Sequence, residues 1–508
     1  MLKYLHANTT NYNEKSKKEL IQILSAKEKQ ITFLEEYISA QNLRQFANKS
    51  EKFNLNQLSF FDEAAAVKDE EKILGAEEDI QVVSFTRKKS PGRKSLPKDL
   101  PREQRIYDLT NAEKICHCGC ELTHITDEKS EQLEYVPAKI FVIEHIKKKY
   151  ACKQCEETIK TAKMPTQPIP RSIAASGLLS HVLVSKFEDY VPLYRQEKIL
   201  KRIDVDLPRA TLCLWVLKCA ALLKPLMKLI QHAILNYDIA YADETTCQVL
   251  KEPTKGIQSK KYMWLFAGGA PNQFAYYYQY HPSRSHDIAL NFFEDFKGYL
   301  HCDGFSAYDV LAEKRSITLV GCLYHVRRKF MEVVKLAPNK EGIASHVVKL
   351  IAKLSFIESE IKLLSDADKK NIRQEKAKPI LDELHDFLLA NEHAVPPKSL
   401  LGAAISYTLN QWKKMLVYLE DGRLENNNNR SERAIKPFVM GRKAWLFANS
   451  VEGAEAGAII YSLIETCKYH YVQPYAWLKY VLQAIPACQT LEEFEALLPF
   501  NIDRNLLA

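Results

Sequence analysis

Glycine and proline are scarce in this chain, 16 and 21 among 508 residues. That excludes a collagen-like repeat, and 46% hydrophobic residues exclude a wholly disordered chain. No fixed-period internal repeat is visible. Long uncharged apolar runs are lacking too: the most hydrophobic segment, around Leu212 to Ile230, is interrupted by Lys218, Lys224, Pro225 and Lys228, so no membrane span is expected. The N-terminus has no apolar core followed by small residues, so no secretory signal is expected, and this reading places the protein in the cytoplasm. A strong excess of one charge is absent as well. With 71 Lys+Arg against 63 Asp+Glu and a formal net charge of +8, contact with a polyanion has to come from local basic runs. What the chain does have is length, enough for several cored domains.

Leu20, Leu24, Ile31, Leu34 and Ile38 fall at helical steps and predict an amphipathic helix within residues 1–48. Lys27 and Gln41 interrupt its seam, leaving open both a dimerising coiled coil and a helix packed on its own domain. Residues 49–110 have linker composition: an acidic stretch from Glu63 to Ile80, then FTRKKSPGRKSLPKDLPREQR. There Arg87, Lys88, Lys89, Arg93 and Lys94 flank Pro91-Gly92, the make-up of an extended arm for a DNA minor groove; the alternative is a solvated linker.

Five of the twelve cysteines crowd between Cys116 and Cys155, within residues 111–165, which in a reducing compartment favours metal over disulfides. Cys116-His117-Cys118-Gly119-Cys120 and Cys152-Lys153-Gln154-Cys155 flank Glu131 to Ala151, whose Val, Ile and Tyr content predicts strands. Knuckles at strand ends bring four thiolates into a tetrahedron suited to structural Zn²⁺. Cys116, Cys118, Cys152 and Cys155 are the expected ligands, although the Cys-x-Cys-x-Cys spacing also offers Cys120; free reduced cysteines are the alternative.

Helical periods take over in residues 166–235, with helices predicted from Ile173 to Phe187, Leu193 to Lys201 and Thr211 to Leu222. Such a trio suits a helix-turn-helix, and equally any small helical bundle. In residues 236–335 the period becomes two. DIAYADETTCQVL, KKYMWLFAGG, FAYYYQYH, GYLHCDGFSAYD and SITLVGCLYH predict five strands, with one helix from Ser285 to Phe296, hence a mixed sheet with helices. Residues 336–424 return to helical periods, and residues 425–508 stay largely helical.

Asp243 lies within the first of these strands and Asp303 at the end of the fourth. Were those strands adjacent, both carboxylates would emerge side by side on one sheet edge, whereas alternation sends Glu244 to the opposite face. Glu432 follows four asparagines at an apparent helix start. Hard oxygen ligands converging from three elements would hold two Mg²⁺ about 4 Å apart, the arrangement that serves phosphoryl transfer; most acids in a chain are merely solvated surface charges. Cys322 and His325, three apart, are too few for a metal site by themselves, and a buried cysteine beside a satisfied core histidine is the plainer reading. Arg327 and Arg328 follow them. Arg430, Arg433, Lys436, Arg442 and Lys443 surround Glu432 with Phe438, Trp445 and Phe447 interleaved, a pattern that suggests nucleic acid nearby.

In chain order, NKSEKF…NQLSFFDEA, GRKSLPKDLPRE, EQLEYVPAKIFVIEHIKKKYAC, FEDYVPLYRQEKILKR, ADET, CDGFSAY, GCLYHVRRKF and NNNNRSERAIKPFVMGRKAWLFANS resemble the transposases of the insertion-sequence-66 family over almost the whole length. The resemblance implies a multidomain α+β protein: an N-terminal coiled-coil helix, a small zinc-binding β module, a helix-turn-helix bundle, an RNase H-like α/β catalytic domain with a helical insertion, and a helical C-terminal region. The catalytic core would comprise 236–335 and, with the glutamate helix, part of 425–508, the insertion being 336–424. It further implies that Asp243, Asp303 and Glu432 form an Asp-Asp-Glu triad binding two Mg²⁺, or Mn²⁺, and that Cys322 and His325 support it as a Cys-x-x-His signature. Ala444, Asn449 and Asn427 depart from the usual family residues without removing a ligand.

The expected activity is cleavage at terminal inverted repeats followed by transfer of the freed 3′-hydroxyl to target DNA, with no covalent protein–DNA intermediate. Expected partners are DNA, further copies of the chain and two accessory proteins of the same element, in a bacterial, nucleoid-associated setting without membrane. The alternatives are a non-catalytic DNA-binding regulator or decayed transposase, and a nuclease that only hydrolyses.

Overall fold

A computed structural model of the chain describes residues 140–146, 148–151, 159–161, 166–253, 260–336 and 342–507. The helix expected within 1–48, the expected basic arm with Arg87, Lys88, Lys89, Arg93 and Lys94, and Cys116, Cys118, Cys120, Cys152 and Cys155 lie outside these residues. Two compact units are distinguished. In the smaller, β1 (Lys149–Ala151) pairs antiparallel with β2 (Ile159–Thr161), Tyr150 opposite Lys160. Residues 140–146 carry no strand, and Phe141, Val142 and Ile146 are exposed. The strands expected between Glu131 and Ala151 thus reduce, among the described residues, to β1. Strand-forming composition settles into a ladder only where a partner strand accepts it.

The larger unit opens with α1 (Ser176–Phe187), α2 (Leu193–Lys201) and α3 (Arg209–Leu235). The expected end of α3 at Leu222 is corrected to Leu235: the helix runs through Pro225. Leu212, Cys219, Leu223, Leu226, Ile230 and Ile234 form a buried stripe at helical spacing, while Lys224, Pro225 and Lys228 all sit on the exposed face. An internal proline costs about 3 kcal/mol, and burying several large apolar side chains at about 1.5–3 kcal/mol each outweighs it. By length and composition α3 could cross a membrane; here its apolar stripe packs under the sheet.

That sheet is built from β3 (Ile239–Cys247), β5 (Lys261–Gly268), β6 (Ala275–His281), β7 (Gly298–His301) and β8 (Ile317–Val320), with the short β4 (Val249–Lys251) after β3. Helix α4 (His286–Phe292) precedes β7 and α5 (Asp309–Lys314) precedes β8. The strand order is β6-β5-β3-β7-β8; the first three run antiparallel and the last two parallel to β3. The mixed sheet and all five strands therefore match the period-two reading. β5 is buried along nearly its whole length, as a strand covered on both faces should be.

After β8 come α6 (Leu323–Leu336), α7 (Ile343–Ile361), α8 (Asp366–Ile372), a π-helical turn (Arg373–Ala377), α9 (Lys378–Glu392) and α10 (Leu400–Leu416). The chain then enters α11 (Asn429–Trp445), β9 (Ala448–Ser450, parallel to β4), α12 (Val451–Tyr469), α13 (Pro474–Ala484) and α14 (Leu491–Ala496). α12 covers the edge strand β6: Ser462 and Thr466 accept from the backbone N–H groups of Tyr278 and Tyr276 at 2.8 and 3.1 Å. Two donors that would otherwise invite a foreign strand are so satisfied.

The π-turn aims two side chains at the segment leading into α11. Arg373, 3% exposed, binds both oxygens of Glu358 (2.8 and 2.7 Å) and donates to the carbonyls of Tyr418, Asp421 and Leu424 at 3.0–3.1 Å. Gln374 donates to Leu419 O at 2.9 Å.

Candidate active site

β3 and β7 are direct parallel neighbours, and their last paired residues are Tyr241 and His301, whose rings stack at 4.6 Å. Asp243 and Asp303 each stand two residues beyond that rung, so register alone brings both to the same end of the sheet. Asp303 Oδ1 accepts from Phe305 N at 3.0 Å, and Asp243 Oδ1 from Glu244 N at 2.8 Å. Gly304 follows because the turn passes against α10: a Cβ there would lie 2.6 Å from the Tyr407 ring.

The aspartates do not face solvent alone. Glu244, expected on the opposite face, has a side chain only 1% exposed and is held by Tyr308 Oη (2.7 Å) and Arg284 Nε (2.7 Å). Burial, followed by the charge of Asp303, raises its pKa, while Tyr308 and Arg284 oppose the rise. Burial also drives Asp243 well above the usual carboxylate range, with Glu244, Asp303 and Glu432 all adding to the shift. A knot of carboxylates that repel one another is the donor set that suits a hard divalent cation, so the residues fit the ions expected at this site.

Glu432 sits in the first turn of α11, which packs on β3 and β5 through its buried face, Ser431, Ala434, Ile435, Phe438 and Gly441. The four asparagines position it. Asn428, 1% exposed, donates its side-chain amide to Ala242 O at 3.1 Å, and its backbone N–H reaches Cys322 Sγ at 3.3 Å. Asn426 O accepts from Leu323 N at 2.9 Å, and Asn427 Oδ1 from Asn429 N at 3.0 Å. The run therefore pins the start of α11 to β3 on one side and to the start of α6 on the other.

Glu432 adds its charge to the upward shift of Asp243 and also meets partners on α6. Glu432 Oε2 accepts from Arg328 at 3.1 Å, and its Oε1 faces His325 Nδ1 at 3.5 Å. Cys322, His325 and Glu432 have ligand atoms all within 4.8 Å of one another, the only such group among the described residues, and the two aspartates stand outside it. Arg328 and His325 offer Glu432 favourable partners, whereas the aspartates repel it. Burial pushes the Cys322 thiol up to about 12; burial lowers the His325 pKa against the opposing pull of Glu432.

The basic residues divide as well. Arg433 and Lys443 are exposed on α11, and Arg327 is half-buried on α6. Arg328 is engaged with Glu432, and Arg442 ties α11 to the end of β3 through Thr246. Arg430 pairs with Glu425 at 2.7 Å and lies over the Tyr241 and Phe274 rings. Phe438, expected among the nucleic-acid contacts, is a core residue 2% exposed, because it falls on the buried stripe of α11 and packs edge-on against Tyr461 of α12. Sequence reasoning missed Arg284, Tyr308 and Asn428. Only the asparagine run carried a local signal; the other two act across the fold.

Comparison with known proteins bears on the whole chain. A family model described as Transposase IS66 family matches residues 171–456, and one for the IS66 C-terminal element matches 462–500. A zinc-finger binding domain of transposase IS66 matches 113–156, spanning the cysteine clusters, and a model described as Transposase C of IS166 homeodomain matches 33–105. The uncharacterized proteins y4jD and y4hP of Sinorhizobium fredii are 34% and 30% identical over 420 and 461 residues. These alignments cover 80% and 87% of this chain, and 81% and 82% of those proteins. The chain belongs to the IS66 family of transposases.

Proposed function

We propose that the chain cuts and joins DNA at the ends of an insertion sequence, using an RNase H-like catalytic core in which Asp243, Asp303 and Glu432 act together. The single observation that carries this reading is the β3–β7 register, which sets Asp243 and Asp303 level at one end of the sheet beside the helix bearing Glu432. A sheet of three antiparallel strands continued by two parallel ones supports the RNase H-like assignment.

In this reading Asp243, Asp303 and Glu432 hold two Mg²⁺ or Mn²⁺ ions. Bound there, such ions supply Lewis acidity toward a phosphodiester and lower the pKa of an attacking hydroxyl. The chain's own residues do the rest. Asn428 fixes the start of α11 relative to β3, and Arg284 with Tyr308 holds Glu244 in place beside the aspartates. Arg433, Lys443 and Arg327 meet the phosphate backbone, whose contacts position DNA without reading its sequence. The zinc module, the basic arm and helices α1 to α3 recognise the terminal repeats, and the N-terminal helix pairs subunits across two ends.

A strand-transfer assay with purified protein, Mg²⁺ and DNA carrying the element's terminal repeats tests the proposal. Wild type is expected to give joined products and Asp303→Asn none; equal joining by both refutes the catalytic assignment, and cut ends without joined products reduce it to a nuclease.

A further inference from the structure

Cys322 and His325 are too few for a metal site by themselves, and the fold supplies a third ligand. Cys322 immediately precedes α6 and His325 lies in its first turn, so a Cys-x-x-His pair sits at that helix's N-terminus. Glu432 occupies the first turn of α11, brought alongside by Asn428. Two helix starts thus bring one thiol, one imidazole and one carboxylate together.

We propose that Cys322 Sγ, His325 Nδ1 and Glu432 Oε1 form a binding site for a divalent cation of the zinc class, adjoining the hard-oxygen site assigned to Asp243, Asp303 and Glu432. Three observations converge on it. The three ligand atoms all lie within 4.8 Å of one another. His325 Nδ1 and Glu432 Oε1 are buried, face each other at 3.5 Å and have no hydrogen-bond partner, an orphaned pair that a shared cation satisfies. The surroundings are those of a built site: Arg328 holds the other Glu432 oxygen, and the Asn428 N–H points at the Cys322 sulfur, as outer contacts orient metal ligands.

The donor set decides the metal. Thiolate with imidazole selects zinc or a similar transition ion over Mg²⁺, whose ligands are oxygens. Three protein ligands leave one coordination position open, the pattern of catalytic rather than closed structural zinc sites. Binding displaces the Cys322 thiol proton to solvent. This site stands whether or not the protein joins DNA strands, although it shares Glu432 with the proposed triad.

Zinc content of the full-length chain tests it. Wild type, Cys322→Ser and His325→Gln, each purified with Zn²⁺ and desalted, are measured by plasma emission; the knuckle cysteines are unaltered in all three. Each variant is expected to hold one equivalent of zinc less per chain than wild type. Substituting Co²⁺ gives a second readout, in which both variants lose part of the thiolate-to-metal absorption. Equal metal content and equal spectra overturn the site. A variant with altered far-ultraviolet circular dichroism is replaced by Glu432→Gln, which keeps the side chain's shape. The zinc measurement is independent of strand transfer, so loss of joining in Asp303→Asn with the zinc difference intact, or the reverse, separates the two proposals.

Discussion

Arg373 is a buried cation outside the acidic end of the sheet, and its replacement by methionine has a calculable cost. Five hydrogen bonds end at this guanidinium, two on Glu358 and three on backbone carbonyls of residues 418–424. Methionine fills much of the volume but donates nothing. Glu358, 19% exposed, regains part of its hydration, while the three carbonyls lose their partner at about 1 kcal/mol each. Breaking a buried ion pair from one side costs about 3–5 kcal/mol, and the partial exposure of Glu358 places the expectation near 3–4 kcal/mol. Arg373→Lys keeps the charge with only three donors on a point-like head, so about 2 kcal/mol is expected. Because the chain has more than one compact unit, a global midpoint mixes transitions. Hydrogen exchange at the amides of 418–424 and of α11 reads the local effect, alongside urea denaturation. Should Arg373→Met leave exchange unchanged and stability within about 0.5 kcal/mol of wild type, the idea that the π-turn anchors the approach to α11 is wrong.

Three further outcomes are expected. In metal-free buffer Asp243→Asn should melt higher than wild type, since it removes one member of a mutually repelling set; one pKa unit corresponds to about 1.4 kcal/mol, and a lower melting temperature in EDTA would count against the repulsion. Glu465 on α12 is 6% exposed, and burial raises its pKa to about 7 despite Lys468 at 3.0 Å. An acid whose folded pKa is raised adds stability that is full below about pH 4.5 and is lost as pH rises through 7, at most about 3–4 kcal/mol; melts from pH 5 to 8 should show the decline in wild type and not in Glu465→Gln. Arg284→Gln leaves Glu244, 1% exposed, held by Tyr308, and should lower stability by about 2–4 kcal/mol in chemical denaturation; no loss would mean that Glu244 finds water.

Much of the sheet was legible because its strands announce themselves locally. The tyrosine-rich alternation of β6 and the apolar run of β5 record which faces are covered, and the placement of two acids near strand ends needed only the assumption that β3 and β7 are neighbours. Where the reading failed, the deciding contact was remote. Pro225 looked like a stop because a proline's cost is local, while the stripe that overrides it depends on a sheet built later in the chain. The partners that Arg328 and His325 offer Glu432, from more than a hundred positions earlier, left no local signal. The π-turn leaves no compositional trace, because its purpose is to aim Arg373 at carbonyls some fifty residues away. Family resemblance supplied the grouping of Asp243, Asp303 and Glu432, which periodicity by itself could not.

The stacked pair Tyr241–His301 acts as a datum from which both aspartates are measured by equal chain length. Deleting one residue between His301 and Asp303 would turn the second acid toward the opposite side of the sheet, and inserting two would carry it roughly 7 Å further out. The stretch from the rung to each acid is therefore intolerant of any change in length, however conservative its composition. Residue swaps at position 302 that preserve the count should be survivable where a single-codon deletion is not.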